Sequence, residues 1–119
     1  MELRFFSFVE FDCPMKPNSG YNYMDRQLLS MLDEARRLAD IKFKIVEGFK
    51  STERQARQGG YPNNSHLIGR AVKIQCLNRK KRYKIITCLL EVGFTRIGIH
   101  SKYIYVDNDD QKLDSIWLE

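Results

Sequence analysis

Between Arg70 and Asp107 the hydrophobic period of the chain changes twice, and that change sets the fold class. Arg70 to Leu77 alternates, with Val72, Ile74 and Cys76 on one face and Ala71, Lys73 and Gln75 on the other, the period of a half-buried strand. Asn78 then stands where a helix cap belongs. Arg79 to Val92 takes helical spacing, with Tyr83, Ile86 and Leu90 as the expected inner stripe and Gly93 as the stop. After it FTRIGIH and YIYVD alternate again around a turn near Ser101 and Lys102, which reads as a hairpin. Upstream, Met24, Leu28, Leu32, Ala35 and Ala39 recur at spacings of three and four, so a helix is expected over Met24 to Ala39. Asp25 early and Arg36 and Arg37 late complement its dipole. KFKIV, Lys42 to Val46, reads as a strand. Ser51 or Thr52 can cap a short helix, with capping-box spacing from Thr52 to Gln55, and Gly59-Gly60 ends it. Pro14 to Tyr23 is the one long irregular stretch. The order helix, strand, helix, strand, helix, hairpin implies an α+β domain with a mainly antiparallel sheet and helices on one side.

At 119 residues the chain is one domain, 1–119, able to bury a small core. Its hydrophobic fraction of 43%, with seven Phe and six Tyr, excludes disorder as the main state. Cys13, Cys76 and Cys88 are an odd number without CxxC spacing, which argues against a disulfide framework or a zinc ribbon and for reduced core thiols in a cytosol. No stretch approaches the roughly 20 apolar residues of a membrane span. The start, MELRFFSFVEFDC, is broken by Arg4, Glu10 and Asp12 and has no small-residue cleavage site, so no signal peptide and a cytoplasmic location are expected.

The balance of 20 Lys and Arg against 15 Asp and Glu is mildly basic, and its distribution says more than its sum. Arg70, Lys73, Arg79, Lys80, Lys81, Arg82 and Lys84 follow one another with no acid between, whereas the end holds Asp107, Asp109, Asp110, Asp114 and Glu119. Such a run binds nucleic acid or another anion, or is a solvated helix face. Cations at a helix start oppose its dipole, which hints at an acidic partner.

The segment Ser65-His66-Leu67-Ile68-Gly69-Arg70-Ala71-Val72-Lys73-Ile74 resembles the SxHxxGxAxD motif of the M15 zinc peptidases, the D-alanyl-D-alanine carboxypeptidase family with its phage endolysin relatives. Glu10-Phe11-Asp12-Cys13 resembles that family's EFxC opening, and Val46 to Thr52 its SGYRS-like segment. Gly59-Gly60 with Asn64-Ser65-His66 resembles the GG…NSxH connection. Gly93 to Ile99 is similar to GFxxIGI, and Ile104-Tyr105-Val106-Asp107 to the terminal IHVD strand. The resemblance covers most of the chain and implies a Hedgehog/DD-peptidase-like fold.

It also implies where zinc chemistry would lie. The family's ligands are the loop His, the strand Asp and the final-strand His. Here they fall on His66, Lys73 and Tyr105, so one ligand of three remains. The family's substrate-binding Arg falls on Lys50, which lacks the bidentate fork, and the Ser ahead of it on Glu47, while Asp107 is kept. Zinc needs about three protein ligands of N, O or S type, so no cofactor and no catalytic residue are expected. His66 is expected as a loop histidine bonded to backbone, and Tyr105 as half-buried sheet filler with a polar tip. Lys73 is either solvated or a charge replacement whose ammonium lies within about 4 Å of Asp107 or Glu47. Cys76 should face the core. His100 shares a sheet face with Tyr105 but lies roughly 7 Å along it, too far to rebuild the site.

These residues imply an inactive M15-like protein that binds a protein or peptide. Its degenerate cleft is Glu47, Lys50, His66, Lys73, Tyr105 and Asp107. Binding is expected at Lys50, His66 and Lys73 and at Arg79, Lys80, Lys81 and Arg82. Single-domain relatives in bacteria and their phages suggest a phage or prophage factor acting on a host protein, such as an inhibitor, or a virion component. Two alternatives stay open. One is a zinc-dependent peptidoglycan peptidase with altered ligands, and the other a nucleic-acid-binding protein using Arg79 to Lys84. No membrane partner is expected.

Overall fold

Two long helices each bury one stripe in the core, and each starts on a side-chain cap. In helix α2, Arg26–Ala39, Asp25 accepts from the Leu28 N–H at 2.9 Å. Of the expected inner face Leu28, Leu32, Ala35 and Ala39 lie inside the helix, whereas Met24, expected to open it, is buried but precedes the Asp25 cap. In the longest later helix, Arg79–Glu91, Asn78 accepts from the Lys81 N–H at 2.8 Å. The computed structural model describes residues 2–59 and 64–119.

The inner stripe of that later helix differs from expectation. Tyr83 is 73% exposed and Leu90 42%, while Ile85, Cys88 and Leu89 are buried. Both sets have helical spacing, so periodicity alone cannot choose between them. The buried set keeps the cations of the first turn in water, whereas the Tyr83 stripe would carry its flanking Arg82 and Lys84 toward the core.

Five strands form one mixed sheet: β1 Ile45–Glu47, β2 Ala71–Gln75, β3 Arg96–Ile99, β4 Tyr103–Asp107 and β5 Ser115–Leu118, in the order β1-β2-β4-β3-β5. All neighbours are antiparallel except β3 and β5, which run parallel. The α+β class and the mainly antiparallel sheet are as expected. Strand β5 was not foreseen: it pairs in parallel, so no hairpin turn precedes it, and it follows an acidic stretch. The KFKIV strand is displaced to Ile45–Glu47, because Phe43 leaves the ladder for the core. Lys44 still accepts from the Gln75 N–H at 2.8 Å.

Short elements close the remaining sides. A 3-10 turn, Phe8–Phe11, leads into α1, Ser19–Tyr23, which lies within the stretch expected to be irregular. There the Asp12 carboxylate accepts from the N–H groups of Asn18 and Gly20 at 3.1 and 2.8 Å. Side-chain acceptance of this kind orders a turn-rich segment without a core of its own. In α3, Thr52–Gln58, the cap is Ser51, which accepts from the Arg54 N–H at 3.2 Å; Thr52 is the first helical residue and caps nothing. Gly59 ends the helix in the left-handed conformation, and Gly60 lies outside the described residues. A second 3-10 turn covers Ser65–Ile68. The long helix Arg79–Glu91, labelled α4, packs with α2 on the face that carries Val72, Ile74, Ile97, Ile104 and Val106. All three cysteines are free and buried, as expected. Among the described residues no helix is long and apolar enough to cross a membrane.

Gly69 ties the second 3-10 turn to α2. Its φ is +70°, and an added Cβ would sit 2.0 Å from the Tyr23 carbonyl oxygen. Its own carbonyl accepts from the Asp25 N–H at 2.9 Å. Left-handed backbone costs a Cβ-bearing residue roughly 1–2 kcal/mol, and backbone overlap adds to that. Gly69→Ala is therefore expected to lower unfolding free energy by more than about 2 kcal/mol, read by urea titration.

Candidate functional site

The face of the sheet turned away from α2 and α4 carries one row of residues across all five strands. Strand pairing sets Glu47 opposite Lys73, Lys73 opposite Tyr105, Tyr105 opposite Gly98, and Gly98 opposite Trp117. Gly98 makes the row possible at its far end. A Cβ there would lie 2.9 Å from the Trp117 indole, so the ring lies over the glycine and meets Tyr105 at 5.5 Å. The second 3-10 turn folds back over the other end and sets the His66 ring edge-on to Tyr105 at 5.6 Å. Between these two walls lies a cleft of ≈ 240 Å³ whose lining includes His66, Lys73, Tyr105, Arg96, Lys112 and Trp117.

His66 is almost fully buried, with Nδ1 2.9 Å from the Gly48 carbonyl oxygen. A carbonyl only accepts, so Nδ1 carries the proton and donates. Burial pushes the imidazole pKa down to about 4, against a partial pull upward from Glu47 and Gly48, so the ring is neutral at pH 7. Nε2 is then a lone-pair acceptor, buried and without a hydrogen-bond partner among the described residues. The expected backbone-bonded loop histidine is present.

Of the two readings of Lys73, solvated or ion-paired, the structure has the ion-paired one. Its ammonium lies 3.7 Å from a Glu47 oxygen and 4.8 Å from the Tyr103 ring centroid. Glu47, not Asp107, is its partner. The other Glu47 oxygen meets Lys50 at 2.8 Å. Burial pushes the Glu47 carboxyl up, but Lys50 and the His66 and Lys73 sites outweigh it and hold the group below its ordinary range. Lys50, expected at the cleft surface, is 5% exposed and lies beneath it. Its ammonium is committed to Glu47 and is not presented to a ligand.

Asp107 is likewise under the cleft and not part of its lining. It accepts from Arg96 Nε at 2.9 and 3.1 Å, from the Tyr105 hydroxyl at 2.6 Å and from the Asp109 N–H at 3.1 Å. Burial first, and then this bond to Asp107, push the Tyr105 phenol far above its ordinary pKa, so it stays protonated. Arg96 also donates to the Leu113 carbonyl and lies over the Trp117 ring at 4.9 Å. Ser65 donates to Asp109 at 2.7 Å and accepts from Lys112 at 2.9 Å, which pins the His66 turn to the segment before β5.

These residues do not suit a divalent metal. His66 Nε2 could donate, but the next position holds an ion-paired ammonium and the third a phenol bound to Asp107. Among the described residues no three His, Cys, Asp or Glu side chains come together to hold a metal ion. His100 stacks on Tyr103 at 4.3 Å, on the same face but away from His66. Arg79, Lys80, Lys81 and Arg82 belong to α4 on the opposite face of the sheet, so the cleft and the basic run are separate surfaces. Sequence reasoning missed Trp117, Arg96, Ser65 and Lys112. Glycine within a strand, at Gly98, was the available signal of a ring passing close by. No protein-family model matches the chain, and no curated protein does so significantly.

Two outcomes follow. The His66 pKa of about 4 lies below its ordinary 6.5, so the folded state resists protonation that the unfolded state accepts. Stability is full above pH 6.5 and falls as pH drops toward 4. Urea titrations at pH 7 and pH 5 should differ by about 2 kcal/mol, a difference that His66→Gln largely removes. Lys50→Ala should cost about 3 kcal/mol, because it leaves a buried carboxylate short of its closest cation. Lys73→Ala, at a longer and wetter contact, should cost about 1 kcal/mol.

Proposed function

We propose that this protein is a catalytically silent relative of the M15 peptidases that holds a peptide or a loop of a protein partner in the cleft between His66 and Trp117. The observation that carries the reading is the Lys73 ammonium, 3.7 Å from Glu47, on the strand position where the resemblance calls for a metal-binding carboxylate. An ammonium there repels a dication and suits a ligand carbonyl or carboxylate instead. The His66 ring walls one end of the cleft, and Trp117 with Tyr105 supplies flat apolar area at small entropy cost. Backbone carbonyl and side chain are what an extended peptide offers to such a cleft. A phage or prophage origin, with a host protein as the partner, fits such a binder.

The test is selection of random displayed peptides on the purified protein, followed by titration of the enriched peptides against Lys73→Glu. We expect at least a tenfold loss of affinity, about 1.4 kcal/mol, with the fold intact by circular dichroism. Equal binding by both proteins would place the peptide elsewhere. Zinc retained at about one ion per chain after dialysis would overturn the silent reading, since a three-ligand site holds its metal.

A further inference from the structure

The fold gathers cations that the sequence keeps apart. Strand β2 ends, α4 begins, β1 begins and the β3–β4 turn lies at the same end of the sheet. A groove of ≈ 300 Å³ there is lined by Lys42, Lys44, Gln75, Asn78, Lys81 and Ile85 among others, with no carboxylate in its lining. Lys42 also lines the adjoining depression with Arg36 and Arg37, where Asp40 is the one acid. Arg82 donates to the Ser101 carbonyl at 3.3 Å, which brings the first turns of α4 against the β3–β4 turn beside Lys102. The acidic residues Asp107, Asp109, Asp110 and Asp114 gather at the opposite end of the strands, in another depression.

This end is built to hold an anion. Lys42, Lys44, Arg79, Lys80, Lys81 and Lys84 are exposed, and none of them makes an ion pair among the described residues. The start of α4 adds its positive dipole end to the same field, so the cations there raise one another's energy instead of being compensated. Lysine is depleted at protein–protein interfaces, which favour aromatic and apolar cores, whereas unpaired lysines are what a phosphate backbone recruits. Tyr83, 73% exposed between Arg82 and Lys84, adds an aromatic face beside the charges.

We infer that this basic end, uniting Lys42 and Lys44 with the first turns of α4, binds the phosphodiester backbone of nucleic acid without reading its sequence. The inference is independent of the peptide cleft on the other face of the sheet. It goes beyond the basic run of α4, because it requires two lysines that lie far upstream in the chain and near α4 only in the fold.

The test is fluorescence anisotropy with a labelled mixed-sequence DNA duplex, titrated at salt concentrations from about 50 to 200 mM. The slope of log affinity against log salt should fall in magnitude by about two in Lys42→Gln/Lys44→Gln, and again by about two in Lys80→Gln/Lys81→Gln. Lys16→Gln/Arg57→Gln makes the same change in net charge at exposed sites on other elements and should leave the slope unchanged. Absence of binding at about 50 mM salt would overturn the inference. So would an equal fall in the control pair, or a slope indifferent to Lys42 and Lys44. Displacement of the duplex by poly-glutamate at equal charge concentration would mark the surface as a site for an acidic protein and overturn it equally.

Discussion

A fully buried carboxylate, Asp107, organises the half of the molecule that carries the cleft. It sits near the end of β4 and takes hydrogen bonds from Arg96 on β3, from the Tyr105 hydroxyl and from the Asp109 backbone. A buried carboxylate without such partners would be costly, so the three donors are held in place as firmly as the acid is. Each donor reaches further. Arg96 extends to the Leu113 carbonyl and the Trp117 ring, which sets the path of the chain into β5. Tyr105 forms the cleft floor between His66 and Trp117. Asp109 receives Ser65 and so anchors the His66 turn.

On the other side of Tyr105 a second charged group does comparable work with opposite chemistry. Glu47 is held between Lys50 beneath it and Lys73 beside it. One carboxylate and two ammoniums leave a net positive charge on the cleft side. Burial keeps His66 neutral next to that charge. The cleft thus offers a cation and two aromatic faces within a short reach, with the His66 ring as its wall.

Much of this was legible in the sequence, because periods and caps are local properties. Asn78 before a helical pattern, Gly59 and Gly93 after such patterns, and the alternation of Val72, Ile74 and Cys76 all act within a few residues of themselves. The pairing of Lys73 with a carboxylate could be anticipated, since an unpaired ammonium on a half-covered sheet face is costly. What was misread had two local solutions. The stripes through Tyr83 and through Ile85 are equally helical, and the strand at Lys42 to Val46 alternates whether or not Phe43 turns inward. Solvation of neighbouring cations and the space inside the core settled both.

The sequence by itself therefore determined the α+β class, the two long helices to within two residues of their ends, and the central strands. Only the tertiary structure decided the rest. Strand β5 has no turn signal, because its partner β3 is parallel and distant in sequence, so Trp117 reached the cleft unannounced. Lys50 and Asp107 went beneath the cleft instead of lining it, because burial depends on which layers close over a residue and not on its neighbours in sequence. Lys42 and Lys44 joined the α4 cations for the same reason: charge adds over distance in space, and chain order carries no information about that distance.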